Sequence, residues 1–157
     1  MFSLHLLYSS LSPDEILAKL KPLKKSSSAA IILRSESAIV PRFVEYAFIQ
    51  AFKSFEQGTQ SANHIELEWL CKLAVTKNVS NALDKTRPTS KCFVLATINL
   101  PLSTEQLYKI GAPCCASPSL QKSAEKFLKE RYEITNAALE NYSLEEMLIE
   151  NAAVENI

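Results

Sequence analysis

The chain has 157 residues, 47% of them apolar and 22% charged, and its formal net charge is zero. A single domain of this size buries roughly 70% of the surface its unfolded chain exposes, so neither disulfides nor a metal are needed to hold it, and the composition excludes global disorder. Zero net charge argues against a surface that grips nucleic acid all over, but it leaves room for a local basic patch.

Phe2, Leu4, Leu6 and Tyr8 alternate, which predicts a first strand. Ser12-Pro13-Asp14-Glu15 is a helix start with a cap, a first-turn proline and a carboxylate reaching back. Ile16, Leu17 and Leu20 form that helix's apolar face, and Pro22 stops it. After a polar link from Lys24 to Ser28, Ala29 to Leu33 reads as a strand buried on both faces.

Pro41 opens the clearest helix of the chain, with Val44, Ala47, Phe48, Ala51, Phe52 and Phe55 on one face and Gly58 as its C-terminal cap. A second helix follows, with Leu67, Leu70, Cys71 and Ala74 in one stripe and Trp69 beside it. Val79, Ala82 and Leu83 predict a short third helix capped by Asn78.

Cys92 to Ile98 is a strand, broken by Pro101. Ser103-Thr104-Glu105-Gln106 is a capping box for a short helix through Leu107 and Ile110 that ends near Gly111. Cys114 to Ala116 suggests a brief edge strand. Ser117-Pro118 starts a helix with Leu120, Ala124, Phe127 and Leu128. The last element starts at Ser143, with Glu146 three residues on, and spans about 143–157; Leu144, Met147, Leu148 and Ala152 line its face. Irregular alternation of strands and helices predicts one α+β domain over residues 1–157, a small mixed sheet covered by several helices.

Motifs for chemistry are scarce. Two glycines, Gly58 and Gly111, cannot build a phosphate-cradling loop. Cys71, Cys92, Cys114 and Cys115 fit no common zinc spacing and read as reduced, mostly buried side chains. His5 and His64 come with no nucleophile signature. The carboxylates, Glu66 and Glu68 among them, read as solvated helix faces. The N-terminal apolar stretch lacks the basic region of a signal peptide, and no run is long enough to span a membrane, so a cytoplasmic protein without cofactor is expected.

Charge is unevenly spread. Lys72, Lys77, Lys85, Arg87 and Lys91 face only Asp84, whereas the stretch from Glu133 to Ile157 carries six glutamates and no Lys or Arg. The first reads either as a solvated turn or as a patch for phosphate. Ala152, Ala153, Val154 and Ile157 are apolar near the chain end, as expected for core docking or for a surface that meets another protein.

Several strings, taken in order, carry a resemblance. They are Phe43-Val44-Glu45-Tyr46-Ala47-Phe48-Ile49-Gln50-Ala51-Phe52 with Phe55-Glu56-Gln57-Gly58, then Leu67-Glu68-Trp69-Leu70-Cys71-Lys72-Leu73-Ala74, Thr76-Lys77-Asn78-Val79 and Ala82-Leu83. Tyr132-Glu133-Ile134-Thr135 and Leu144-Glu145-Glu146-Met147-Leu148-Ile149-Glu150 complete the series. Their order and spacing resemble the small kinase-binding subunit of the KEOPS/EKC complex, the PRPK-binding-protein family, over most of the chain. The sequence departs from that family at Val75 and Asn78, where a Gly and a Gln are usual, and around Arg87-Pro88, where a Gly is missing.

The resemblance implies a non-catalytic subunit. It would bind and stimulate a small atypical protein kinase/ATPase at one end of the complex that makes threonylcarbamoyladenosine beside the tRNA anticodon. It would also help recruit tRNA by its 3′ CCA end, and would meet the other subunits indirectly. On this reading Lys72, Lys77, Asn78 and Arg87 face the tRNA; Trp69 or a helix-lining Phe could stack a base, although core packing is the first expectation for each. Met147, Leu148, Val154 and Ile157 face the kinase, so a charge at Leu148 or Val154 should abolish kinase binding without unfolding the domain. Two alternatives stay open: a scaffold that binds protein only, and a cysteine-dependent enzyme using Cys114 or Cys115.

Overall fold

A computed structural model describes residues 1–155. The elements run β1 (Phe2–Tyr8), α1 (Pro13–Leu20), β2 (Ala29–Arg34), α2 (Pro41–Gln57), α3 (Ile65–Leu73), α4 (Val79–Thr86), β3 (Cys92–Ile98), α5 (Thr104–Ile110), β4 (Ala112–Pro113), α6 (Pro118–Arg131) and α7 (Leu144–Glu155), with short 3-10 turns between some of them. The class is α+β, as expected. Among the described residues, no helix is long and apolar enough to cross a membrane.

The sheet has the order β2-β3-β1-β4, and every neighbouring pair is antiparallel. The expectation of a mixed sheet is therefore corrected. Strand β2 is apolar at five consecutive positions because helices cover both faces of the sheet, a pattern commoner in parallel strands. Such a run reports how many faces are covered, not which way the chain runs.

Alternation divides the strand residues between two cores. Leu6, Ile31, Leu33, Val94 and Ala96 point toward α2, α3, α6 and α7, whereas Leu7, Ile32, Phe93 and Leu95 meet Ile16 and Leu20 of α1 and Ile110 of α5. The larger core holds Phe43, Val44, Ala47 and Ala51 of α2 against Trp69 of α3 and Leu148 of α7. This face is rotated from the expected stripe: Phe52 is half exposed, and Phe48 and Phe55 are only partly covered.

Helix ends follow local chemistry. Ser12 and Ser103 make full capping boxes with Glu15 and Gln106, and the Ser117 hydroxyl accepts from the Leu120 N–H. Gly58 closes α2 at φ 67°, a left-handed conformation that costs glycine least. The N-terminus of α2 has no cap of its own; the Glu145 carboxylate of α7 accepts from the N–H groups of Arg42 and Phe43 instead.

The edge strand comes two residues earlier than expected. Leu7 pairs with Pro113 and Tyr8 with Ala112, while the Cys114 N–H donates to the Leu6 carbonyl. Gly111 makes this approach possible, because a Cβ there would lie 2.8 Å from the Tyr8 carbonyl oxygen.

Candidate functional site: the ends of helices α3, α4, α6 and α7

Helix α3 ends in a full Schellman motif. The Thr76 N–H donates to the Cys71 carbonyl at 3.0 Å and the Val75 N–H to the Lys72 carbonyl at 3.3 Å. This geometry forces the intervening residue into the left-handed region, and Val75 sits there at φ 51°. A β-branched side chain crowds the backbone in that conformation, so the turn stores strain.

The strained turn feeds directly into α4. The Asn78 N–H donates to Thr76 Oγ1, and Asn78 Oδ1 accepts from the Asn81 N–H at 3.0 Å, capping α4 as expected. Lys77 is exposed beside it. Arg87 is exposed at the other end of α4, with its guanidinium 3.9 Å from Asp84. An eight-residue helix is about 12 Å long, so Lys77 and Arg87 stand at opposite ends of α4.

Lys72 stands apart from these three. Its ammonium lies 3.5 Å from Glu68 Oε1, and the Glu68 side chain is 1% exposed. Glu68 Oε2 accepts from the N–H groups of Ser61 at 2.8 Å and Ala62 at 2.9 Å, pinning the loop that follows α2. Glu68 is thus buried, not solvated: Trp69, Leu70 and Cys71 beside it are core, and the α2–α3 loop folds over it. Lys72 compensates a charge that would otherwise be costly to bury.

Trp69 is fully buried; its indole N–H donates to the Val44 carbonyl at 2.9 Å, and its ring meets Phe48 edge-on at 5.0 Å. It is therefore unavailable to stack a nucleic-acid base. Phe52 is the exposed aromatic of α2, stacked on Phe48 at 6.3 Å.

The terminal helix divides the residues assigned to the kinase. Leu148 has no exposed surface and packs into the larger core together with Ala152, which corrects its placement on a partner-facing patch. The reason is the seating of α7 on α2, which turns this face inward. Met147 is half-buried against the same core, and Val154 is 63% exposed. Ile157 lies outside the described residues.

Tyr132 joins these helix ends. Its hydroxyl donates to the Leu73 carbonyl at the end of α3, and its own carbonyl accepts from the Asn151 side-chain amide of α7 at 3.4 Å. Burial raises its hydroxyl pKa to about 12, against a smaller lowering by the neighbouring Arg131. A second left-handed residue, Glu133 at φ 55°, follows, and the Ile134 N–H donates back to the Lys129 carbonyl of α6. Val75, Lys85, Arg131, Tyr132, Asn151 and Val154 border one groove of about 550 Å³. The sequence marks Val75 as a departure from the family pattern, Lys85 as part of a basic stretch and Val154 as part of a terminal patch. It had no signal that Arg131 and Tyr132 join them.

The cysteines and histidines are dispersed. Burial raises the Cys71 thiol pKa, with Glu68 adding to the effect, and burial followed by the neighbouring Cys114 raises that of Cys92. Cys114 is half-buried with its thiol 3.6 Å from the Ala112 carbonyl, and Cys115 is exposed. His5 is half-buried in β1, where burial lowers its pKa, and His64 is exposed at the start of α3. No protein-family model matches the chain, and no curated protein matches its sequence.

Proposed function

We propose that this protein is a non-catalytic subunit of the KEOPS type, binding a small atypical protein kinase/ATPase and presenting tRNA by its 3′ CCA end in the cytoplasm. The observation that carries the reading is Val75. The family that the sequence resembles has a glycine there, and the backbone at Val75 is left-handed, the conformation for which glycine is best suited. A chain that retains this turn with an unfavourable residue retains a geometry, and the turn presents Lys77 and Asn78 at the start of α4.

On this reading Lys77, Asn78 and Arg87 contact the RNA, while Lys72 holds the turn through Glu68. The kinase meets the exposed end of α7 around Val154, with Met147 at the margin. Met147 and Leu148 seat that helix. A titration of tRNA with and without its CCA end, by filter binding, tests the RNA side. Tighter binding of the intact tRNA is expected, and equal affinity overturns end recognition. On the protein side, Val154→Asp is expected to lose the purified kinase while keeping its unfolding midpoint; retained kinase binding overturns the α7 assignment.

A further inference from the structure

Lys85 of α4 and Arg131 of α6 lie 46 positions apart in sequence, yet both border the groove at the helix ends and a smaller cleft of about 30 Å³ that shares Tyr132 with it. The smaller cleft also receives Arg34 from the end of β2 and Glu36 just after it. Arg34 is already satisfied: it pairs with Glu36 at 3.2 Å, and its guanidinium lies 4.1 Å above the Phe127 ring. Lys72 is paired with Glu68, and Arg87 lies beside Asp84. Among the described residues, Lys85 and Arg131 form no ion pair. Glu133 and Glu155 also line the groove, outside ion-pair distance of either.

Two cations that line one groove at more than ion-pair distance from its carboxylates stay open to an anion, and an anion seated between them lowers their mutual repulsion. Tyr132, which lines both cavities, is held in place by the bond from its hydroxyl to the Leu73 carbonyl. We infer that Lys85 and Arg131 form a phosphate-binding site in this groove, occupied by the backbone of the RNA strand that the α3–α4 turn receives. This rests on the RNA reading above and extends the RNA path from α4 onto α6, toward the exposed end of α7. An ammonium serves as a point charge and a guanidinium as a bidentate donor, so the pair holds a phosphodiester from two directions.

The test is the salt dependence of tRNA binding by the full chain, compared with Lys85→Ala, Arg131→Ala, the double variant and the charge-keeping pair Lys85→Arg and Arg131→Lys. Each lost contact to a single strand is expected to reduce the slope of log affinity against log salt by about 0.7, and the double variant by about twice that. The charge-keeping variants should retain the wild-type slope. Both cations stand in the last turns of their helices, where they also favour the helix dipole. A purely structural role would therefore shift the unfolding midpoint and leave the slope alone. An unchanged slope in the double variant, with wild-type chain binding tRNA normally, overturns the site and leaves the RNA reading standing. A wild-type chain that binds no tRNA overturns both.

Discussion

The Tyr132 hydroxyl donates to the carbonyl of Leu73, and this bond ties the end of α6 to the end of α3 across 59 positions of sequence. A helix leaves its last carbonyls without partners, and here one of them is satisfied from a different helix. The consequence is a fixed spacing between the strained turn at Val75 and the groove wall formed by Arg131.

That bond gives the first prediction. Tyr132→Phe removes the donor and leaves the Leu73 carbonyl short of a partner, which should cost about 1–2 kcal/mol in urea unfolding. The wild-type protein should also lose stability in alkali. The folded pKa is raised from 10.0 to about 12, so the neutral hydroxyl's contribution is fully present below pH 10 and lost as pH rises toward 12. Unfolding midpoints of both proteins on either side of pH 10 check this. The wild type should lose more than the variant, and parallel losses would remove Tyr132 as the cause.

Val75→Gly should stabilise the protein. Relief of the left-handed strain exceeds the greater unfolded-state freedom of glycine and the loss of a half-buried isopropyl group, leaving a net gain on the order of 0.5–1 kcal/mol. Val75→Ala keeps the Cβ penalty and should gain less. An urea midpoint lowered by the glycine would mean that packing of Val75 outweighs its backbone cost.

Glu68 and Lys72 should behave as a structural pair. Removing Lys72 leaves the buried Glu68 carboxylate without its cation, and removing Glu68 leaves the Ser61 and Ala62 N–H groups without their acceptor, so Lys72→Ala and Glu68→Ala should each cost about 3 kcal/mol or more. Lys72→Ala is therefore expected to lower the melting temperature, while Lys77→Ala leaves it unchanged and weakens tRNA binding. Exchange of those two outcomes would return Lys72 to the RNA-contacting group.

Leu148 and Val154 lie on one helix but should respond oppositely. Leu148→Ala opens a cavity in the core between α2 and α7, at a cost of about 2–5 kcal/mol. Leu148→Asp should not fold. Val154→Asp, on the exposed face, should stay within about 0.5 kcal/mol of wild type. Circular dichroism with urea titration distinguishes them, and a folded Leu148→Asp protein would place that side chain outside the core.

The elements that sequence by itself determined are those whose causes lie within a few residues. Ser12, Asn78, Ser103 and Ser117 cap helices with side chains that reach only three positions on, and Gly58 ends α2 through its own backbone freedom. Strand alternation likewise sorts Leu6 from Leu7 without knowledge of what covers either face. Only the tertiary structure decided the antiparallel direction of β2, the burial of Glu68 under the α2–α3 loop and the inward turn of Leu148. It also decided that Lys85 and Arg131 line one groove. A helix's periodicity marks an apolar side but not which neighbour will lie on it, and charge in one dimension carries no distance between residues far apart in the chain. Val75 is an ordinary valine held in a glycine's conformation, a fact of backbone angles that no composition or spacing displays.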